Sequence, residues 1–464
     1  MEGLEVSIIS KENLDLGDRI DAEYFQRYNL LIEQRLKELP HQTLGEIATF
    51  VASAFYPAAT QLYAVGDTPF IRCVDCIDYP LITKEQDESF EKIPKDFIKD
   101  NIGVNILNKN DIVITKVGSP CYASIVYEHD VVALSRTVMG LKNITGVNPL
   151  YLLTFLRSKY GFQELYRERE QTIQFQLTLE RVRKISIYIA NSLLQDAIAD
   201  VYHRYYANMR NADQLYKQVE QILLDELCFN QIMETEVIYS HNKFSEFVNS
   251  GRLDAEYYQP KYDDLFSRLS KFETKRLGDI VQIRKSIEPG SEAYQNKGIP
   301  FIRVSNLSKF GFSDTEIHLS PDEYGDVIRP KQNTILLSKD GSVGIAYKVE
   351  QDMDVITSGA ILHLTITDNE FMPDYLTLVL NSVIVGMQAE RDAGGSIIQH
   401  WKPSEIENVI IPKLSQEIQQ EIANKVKESF ALRRESKRLL NLAKTAVETA
   451  IEQGENAALR LLDR

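Results

Sequence analysis

The chain carries the same series of short sequence elements twice. Arg-x-Asp-Ala-Glu-Tyr occurs at residues 19–24 and again at 252–257. Five further pairs follow in the same order: Leu44-Gly-Glu-Ile with Leu277-Gly-Asp-Ile, Pro69-Phe-Ile-Arg with Pro300-Phe-Ile-Arg, Thr115-Lys-Val-Gly-Ser with Ser338-Lys-Asp-Gly-Ser, Pro149-Leu-Tyr-Leu with Pro373-Asp-Tyr-Leu, and Ile173-Gln174 with Ile398-Gln399. Chance does not keep six matches collinear, so the sequence predicts two homologous copies of one unit.

Each copy has the same expected layout. A turn-rich opening precedes short β-type runs such as 111–115 and 334–338, which are bounded by Gly, Pro and Asn. A short helix is expected from Pro149 to about Leu165, and its counterpart from Pro373 to about Glu390. The predicted fold class is therefore mixed α/β (α+β), with two duplicated domains that contain mixed sheets.

Two long segments, about 193–230 and 415–453, contain neither Pro nor Gly and are predicted to be long helices. Each carries a stripe spaced alternately by four and three residues, and small side chains fill several of its positions. The stripes are Val201, Tyr205, Asn208, Ala212, Leu215, Val219 and Ile222, and Lys425, Ser429, Leu432, Ser436, Leu439, Ala443 and Ala446. Two ordinary amphipathic helices are one interpretation; an antiparallel coiled coil that separates the two copies with pseudo-two-fold symmetry is the other, and we adopt it.

This layout divides the chain into five expected parts. They are a first recognition domain at 1–190, a first spacer helix at 191–235, a second recognition domain at 236–412, a second spacer helix at 413–455 and a tail at 456–464.

The composition limits the function. The formal charge of −15 is unfavourable for phosphate binding, so contact with a polyanion has to depend on locally placed Lys and Arg or on a partner. The acidic start lacks the layout of a signal peptide, and charged residues interrupt every apolar run before membrane-spanning length. We expect a cytoplasmic protein without membrane contact, and four cysteines fit a reducing compartment.

Catalytic signatures are not found in the sequence. Asn148-Pro-Leu-Tyr151 lacks the second proline of the base methyltransferase motif, and a Pro-initiated helix explains it better. No phosphate-binding Gly-x4-Gly-Lys loop occurs. Cys73 and Cys76 have metal-ligand spacing but no second pair of ligands. We therefore predict no catalytic residues, no cofactor and no metal.

Polar loops in matching positions are the candidate DNA-binding elements. Gly exposes backbone N–H groups, Lys and Ser bind phosphate oxygens, and Arg or an amide can read a base edge. An ordinary Gly turn, and an ion-pair role for the arginines, remain alternative interpretations. The candidate residues are Arg72, Lys116, Ser119, Tyr122, Gln174 and Gln176 in the first copy, and Arg303, Lys339, Ser342, Gln399, His400 and Lys402 in the second.

Two basic clusters stand out from the acidic background, although a solvated helix face would explain either of them. The first lies within residues 157–184, which contain seven basic side chains. The second is Arg433-Arg434-x-x-Lys437-Arg438 on the second long segment.

The duplicated layout resembles the specificity subunit of type I restriction–modification systems over about residues 19–455. The resemblance rests on the paired Arg-x-Asp-Ala-Glu-Tyr elements, the Leu-Gly-Glu/Asp-Ile segments, which are expected to be strands, the Lys-x-Gly-Ser turns, and Ile-Pro-Lys-Leu-Ser-Gln-Glu-Ile at 411–418 before a long helix. The first copy departs from the last feature, with Tyr188-Ile-Ala-Asn-Ser192 in its place.

The resemblance implies a non-catalytic subunit with two target-recognition domains, which read a split, asymmetric site in double-stranded DNA. It implies that the long helices dock methyltransferase subunits, two of them, and that restriction and translocase subunits complete the complex. The alternatives are a specificity subunit for a combined methyltransferase–nuclease, a helical scaffold that does not read bases, and a standalone modification enzyme.

Overall fold

The structure is a computed structural model that describes residues 6–10, 21–54, 56–77, 79–119, 121–170, 175–230, 241, 243–393 and 399–463. These residues form two compact units. Unit 1 lies within Met1–Arg210 and Arg434–Arg464, and unit 2 lies within Asn211–Arg433. No helix in the described part of the chain has both the length and the hydropathy needed to cross a bilayer.

Unit 1 is built on two main sheets. One has the strand order β2-β10-β7-β8-β4 and the other β5-β3-β9-β6, while β1 and β11 form a separate antiparallel pair. The strands are β1 His41–Thr43, β2 Thr49–Val51, β3 Thr68–Ile71, β4 Leu81–Ile82, β5 Lys92–Ile93, β6 Ile106–Asn108, β7 Ile112–Thr115, β8 Ala123–Val126, β9 Val131–Leu134, β10 Val138–Lys142 and β11 Ser186–Tyr188.

Unit 2 repeats this plan with the same number of described strands but with smaller main sheets. Its sheets have the orders β13-β21-β18-β19 and β17-β14-β20, with β12–β22 and β15–β16 as separate pairs. The strands are β12 Thr274–Arg276, β13 Val281–Lys285, β14 Ile299–Ile302, β15 Leu307–Ser308, β16 Gly311–Phe312, β17 His318–Leu319, β18 Ile335–Ser338, β19 Ala346–Lys348, β20 Ile356–Thr357, β21 Ile361–Ile366 and β22 Ile410–Pro412.

Helices connect and cover these sheets, and the fold class is mixed α/β, as the sequence predicted. The described helices are α1 Arg27–Lys37, α2 Leu44–Ile47, α3 Val74–Ile77, α4 Lys95–Asp100, α5 Pro149–Arg157, α6 Lys159–Arg167, α7 Leu179–Arg183, α8 Ser192–Glu226, α9 Phe244–Ser250, α10 Pro260–Leu269, α11 Leu277–Ile280, α12 Pro321–Tyr324, α13 Pro373–Leu380, α14 Val383–Asp392, α15 Pro403–Ile406, α16 Gln416–Gln453 and α17 Glu455–Leu462.

Equivalent strands pair in the same register in both units. The antiparallel pair β7–β10 corresponds to β18–β21, and the parallel pair β3–β9 corresponds to β14–β20. The opposed residues are Thr115 and Val138 against Ser338 and Ile361, and Ile71 and Leu134 against Ile302 and Thr357. The motif duplication in the sequence is therefore also a duplication of strand pairing.

The two Leu-Gly-x-Ile elements are single helical turns, so the prediction that they are strands was wrong. They form α2 and α11, each directly after a short strand. A Cβ on Gly45 would lie 3.1 Å from the carbonyl oxygen of Arg183, and one on Gly278 would lie 3.2 Å from that of Glu407. The glycine therefore allows close backbone approach, and four residues are too few for periodicity to separate a turn from a strand.

The predicted short helix of each copy is two helices. In unit 1 the break falls at Ser158, whose ψ of 164° is extended and whose Oγ accepts a hydrogen bond from Gly161 N–H. In unit 2 it falls between α13 and α14, where Ser382 is extended as well. The Ser158 hydroxyl caps the following turn, a role that serine favours, whereas the Ser382 hydroxyl donates to the carbonyl of Val379.

The tyrosine of each Asp-Ala-Glu-Tyr element packs against an arginine from the second of these helices. The Arg167 guanidinium lies 4.1 Å from the ring centre of Tyr24, and that of Arg391 lies 4.2 Å from the ring centre of Tyr257. Such cation–π contacts stabilise by about 0.5–2 kcal/mol, the most when they are desolvated. The repeated element thus fastens the opening segment to each unit.

The long helices pair within the units. In unit 1, Ser436 Oγ donates to the carbonyl of Tyr205, and Asn191 N–H, just before α8, donates to Glu455, just after α16. The two segments therefore run antiparallel in unit 1. In unit 2, Ser429 Oγ donates to the carbonyl of Ala212 at 2.7 Å. The stripe predicted from the sequence is buried or half-buried throughout.

Glu164 gives unit 1 a pH-dependent stability. Its carboxylate is 5% exposed and lies 3.2 Å from the guanidinium of Arg167, which Glu33 also holds at 2.9 Å. Burial outweighs the attraction of Arg167 and raises the pKa of Glu164 to about 7. The pKa of Glu164 is higher in the folded protein than in the unfolded chain, so binding its proton stabilises the fold. This stabilisation is complete below about pH 4.5 and is lost as the pH rises through 7.

We expect Glu164→Gln to stabilise the protein at pH 8 by about 1–3 kcal/mol and to have little effect at pH 4.5, since glutamine mimics the protonated acid. Unit 2 has Gln388 at the equivalent position, also buried. Thermal unfolding at both pH values measures the difference. Glu180→Gln is the control, because the Glu180 side chain is 85% exposed; an equal effect of both substitutions would contradict the assignment.

Candidate nucleic-acid interface

A polar turn with an unusual backbone follows β7 in unit 1. Thr115 Oγ1 donates to the carbonyl of Ser119 at 2.7 Å and accepts from Tyr122 N–H at 2.9 Å. Gly118 and Cys121 both adopt positive φ, at 88° and 77°. The turn is therefore held closed by a threonine hydroxyl that is buried beneath it.

The same turn follows β18 in unit 2. Ser338 Oγ donates to the carbonyl of Ser342 at 2.6 Å and accepts from Ile345 N–H at 2.9 Å. Gly341 and Gly344 take the positive φ positions, at 74° and 87°. The sequence predicted matching Gly turns, and the structure shows the same hydrogen bonds in both.

A second segment lies beside each turn. In unit 1, Leu177 N–H donates to the carbonyl of Lys116, and Gln176 bridges to Val117. In unit 2, Trp401 N–H donates to the carbonyl of Lys339. Gly341 N–H donates to the carbonyl of Gln399, and His400 bridges to Asp340. Two of the predicted segments are thus brought together in each unit: residues 116–117 with 176–177, and residues 339–341 with 399–401.

The members of the clusters differ in exposure. Ser119, Gln176, Ser342, Gln399, His400 and Lys402 are exposed, whereas Lys116, Tyr122 and Lys339 are half-buried. Tyr122 packs edge-on against Phe162, with 6.2 Å between the ring centres. Gln174 lies outside the described residues.

Lys116 is a half-buried cation without an acidic partner among the described residues. Burial lowers the pKa of its ammonium, and no carboxylate offsets that effect. A buried ammonium of this kind is stabilised when an anion approaches it. The unit 1 turn therefore has an unsatisfied preference for negative charge.

The equivalent lysine of unit 2 is already neutralised. Lys339 forms an ion pair with Asp340, whose other oxygen accepts from His400 Nδ1 at 2.8 Å. Both contacts lower the pKa of Asp340, although burial opposes them. The unit 2 turn therefore presents the imidazole of His400 in place of a free ammonium.

For the equivalent arginines Arg72 and Arg303, the residue in unit 1 is the one that is ion-paired, whereas for the lysines it is the residue in unit 2. Arg72 in unit 1 contacts Asp75 at 3.3 Å and Glu91 at 3.2 Å. Arg303 in unit 2 is exposed, and Asn306 replaces the aspartate at the equivalent position, where it accepts from Arg303 N–H. The ion-pair alternative left open by the sequence thus describes Arg72, while Arg303 has no carboxylate partner among the described residues.

Arg136 is a candidate that the sequence did not reveal. Its exposed guanidinium lies 4.6 Å from the ring centre of Tyr56, and its neighbour Thr137 accepts the N–H of Lys116. The equivalent position in unit 2 is Gly359, which lies against the Lys285 side chain. Comparing the two copies could not identify Arg136, because only the first copy carries a cation there.

The stretch 157–184 does not form a positive patch, because acidic side chains neutralise most of it. Arg167 contacts Glu33, and Arg181 contacts Glu170 at 3.4 Å. Other acidic contacts in this stretch are Lys159 with Glu452, Arg169 with Glu23, and Lys184 with Glu180. In the second cluster, Arg433 pairs with Asp213 and Arg438 with Glu435.

Cys73 lies in the turn after β3, and Cys76 lies in α3. Burial raises the pKa of the Cys76 thiol to about 12, so it is protonated at neutral pH. Cys73 Sγ donates to the carbonyl of Ser119 at 3.3 Å and so supports the unit 1 turn. Within the described residues, no group of three His, Cys, Asp or Glu side chains is placed to hold a metal.

Two repeated units with paired helices and matching polar turns define a two-module protein with one candidate binding cluster in each module. Comparison with known families adds a specific match. Residues 270–441 match the type I restriction modification DNA specificity domain.

A curated relative extends the likeness over most of the chain. The chain is 25% identical over 367 residues to the type I restriction enzyme MjaIX specificity subunit of Methanocaldococcus jannaschii, a match that covers 75% of this chain and 77% of the relative. Together the two matches confirm the resemblance to type I specificity subunits that was predicted from the sequence.

Solved structures of such subunits are also similar, at low sequence identity. The S subunit from M. genitalium aligns with 13% identity and a TM-score of 0.39, covering 91% of this chain and 95% of that one. The HsdS subunit from Thermoanaerobacter tengcongensis aligns with 14% identity and a TM-score of 0.29, covering 89% and 97%. With TM-scores this low, the fold assignment comes from the strand pairing and the helices of this chain and not from these alignments.

Proposed function

We propose that the chain is the non-catalytic DNA-recognition subunit of a type I restriction–modification complex and reads a bipartite, asymmetric site. The observation that carries this proposal is the pair of turns after β7 and β18, which share a hydrogen-bonding scheme but present different side chains. A common scaffold with different exposed groups is what two modules need in order to bind two different sequences. The recognition domains are residues 1–190 and 236–412.

We assign DNA contacts in each module to the exposed polar groups and to the cations that have no carboxylate partner among the described residues. In the first, Lys116 and Arg136 supply positive charge for phosphates, and Ser119 and Gln176 supply uncharged donors. In the second, Arg303 reads a base edge, while Ser342, Gln399, His400 and Lys402 supply further contacts. Arg72 holds the segment after β3 through its ion pairs, and the charge of Lys339 is matched by Asp340. Tyr122 lines the first turn.

The partners follow from the same proposal. Methyltransferase subunits, two of them, dock on the spacer helices 191–235 and 413–455, and restriction and translocase subunits join that core. A net charge of −15 leaves this chain dependent on those partners for much of the phosphate contact. The complex acts in the cytoplasm.

Exchanging residues 236–412 for the equivalent region of a relative with a different target tests the two-module division. We expect one half-site of the methylated sequence to change and the other to remain, because unit 1 and its turn are left intact. Methylome sequencing of cells that express the complex provides the measurement. A change in both half-sites, or in neither while methylation persists, would contradict the proposal.

A further inference from the structure

Unit 2 contains a cavity of about 510 Å³ that none of the assigned functions uses. It opens at the end of β18 where Asn333 and Thr334 lie, whereas the turn proposed to bind DNA follows the other end of that strand. Four residues of extended strand, roughly 13 Å, separate the two sites. The cavity is therefore distinct from the polar turn.

The lining of the cavity is positive although the chain is acidic. Three cationic side chains contribute to it, and none of the described lining residues is Asp or Glu. The cations are Arg284, Arg329 and Lys331. Amides and hydroxyls add donors, while Ile366, Phe371 and Met372 form an apolar side.

Arg284 is the cation best placed to bind a ligand. Its side chain is exposed in β13, and it has no acidic partner among the described residues. Arg329 and Lys331 contact Asp354 at 2.9 Å and Asp352 at 3.0 Å, but both of these aspartates are largely exposed. The Lys331–Asp352 pair is exposed on both sides and therefore weak, so a bound anion can compete for Lys331. The Arg329 side chain is only 17% exposed and also donates to the carbonyl of Val327.

The acidic residues beside the cavity are engaged elsewhere. Lys275 Nζ lies 2.6 Å from a carboxylate oxygen of Asp368 and 2.6 Å from one of Glu370. Lys413 also contacts Glu370, at 2.8 Å. Asp368 and Glu370 are therefore paired with lysines outside the lining. Arg284 is the lining cation that no carboxylate contacts among the described residues.

Unit 1 shows that the duplicated fold does not require this cavity. Arg284 pairs with His363 across β13 and β21, and the equivalent pair in β2 and β10 is Val51 with Gly140. A Cβ on Gly140 would lie 2.5 Å from Leu107, because strand β6 covers this face. Where unit 1 has closed apolar packing, unit 2 has an arginine, a histidine and an open space.

His363 contributes a neutral polar group to the wall. Its Nε2 lies 2.8 Å from Thr357 Oγ1, and burial lowers the pKa of its ring to about 4. The imidazole is thus uncharged at neutral pH. The charge that a ligand meets in the cavity comes from the arginines and the lysine.

We propose that this cavity binds a phosphate-bearing ligand of the mononucleotide class, with the phosphate on Arg284 and the flat ring against the apolar side formed by Ile366, Phe371 and Met372. Guanidinium groups bind phosphate with two parallel hydrogen bonds, and cavities of this size suit small organic ligands. The proposal goes beyond DNA recognition and does not depend on it.

Calorimetric titration of the full chain with adenosine monophosphate, inorganic phosphate and adenosine tests this site. We expect the mononucleotide to bind more tightly than either fragment, because only it occupies both the cationic and the apolar side. Arg284→Met is expected to weaken binding about tenfold, which corresponds to about 1.4 kcal/mol. Arg276→Met, an exposed arginine in β12 outside the cavity, is the matched control.

Three results would overturn the proposal. They are no mononucleotide binding at millimolar concentration, equal losses from both arginine substitutions, and displacement of the nucleotide by a DNA duplex, which would make the cavity part of the DNA site. Circular dichroism of each variant shows whether it is folded. Thr365→Trp, which fills the cavity and leaves Arg284 in place, gives a second route: we expect it to abolish binding, and retained binding would place the nucleotide elsewhere.

Discussion

Replacing Arg303 with alanine is expected to weaken binding of the assembled complex to its target by about 1–3 kcal/mol and to relax the preference at one base pair of one half-site. Arg303 is exposed and has no carboxylate partner in the described part of the chain, so its guanidinium can donate two hydrogen bonds to a guanine edge. Competition binding with duplexes varied one position at a time measures the change.

Arg72→Ala is the matched control for this prediction. Because Arg72 is held by Asp75 and Glu91, its loss is expected to loosen the segment after β3 without altering the preference at any single base pair. If Arg303→Ala weakened binding to every duplex equally, the assignment of a base contact would be wrong, and a phosphate contact would replace it.

Replacing Lys116 with alanine is expected to weaken binding to all DNA sequences alike, by about 1–2 kcal/mol, and to reduce the slope of log affinity against log salt by about 0.9. A half-buried ammonium without an acidic partner gains most from a phosphate. Binding measured at several salt concentrations, on target and non-target duplexes, gives both quantities.

Two further variants bracket the effect of Lys116. Lys116→Arg keeps the charge, and we expect it to retain the salt slope. Lys339→Ala removes the equivalent but neutralised lysine and is expected to leave the slope nearly unchanged, since its charge is already matched by Asp340. A larger loss of slope from Lys339→Ala than from Lys116→Ala would reverse the roles assigned to the two turns.

Much of the fold could be predicted because the duplication supplied an internal check. The second long helix was expected at about 415–453 and runs from Gln416 to Gln453, since nothing in that segment breaks a helix. The breaks at Ser158 and Ser382 were not predicted, because a serine is as compatible with a continuing helix as with a cap. Only the surrounding packing decides between these outcomes.

The candidate site could be predicted in outline but not in its charges. The sequence placed Lys116 and Lys339 in equivalent turns, and the structure shows this equivalence. Lys339 forms an ion pair with Asp340, whereas Lys116 has no carboxylate partner among the described residues. This difference depends on whether a neighbouring acidic side chain reaches the lysine. The replacement of Asp75 by Asn306 is visible when the copies are aligned, and it could have distinguished Arg303 from Arg72.

The cavity at Arg284 could not be predicted from the sequence. It depends on strand β6, whose Leu107 covers one face of the sheet in unit 1. In the described part of unit 2, no strand equivalent to β6 pairs with β20. This difference has no sequence motif of its own, because Arg284 considered alone is like any other exposed arginine.

The core of unit 1 is assembled from both ends of the described chain. Tyr188 Oη donates to Glu455 at 2.8 Å, and Ala458 is fully buried in the same core. During synthesis the ribosome makes every residue of unit 2 before it reaches these last contributors. At about 5–20 residues per second, the stretch from Arg434 to Ala458 takes about 1–5 s to make, so unit 2 has that time to fold before the last helix of unit 1 is synthesised.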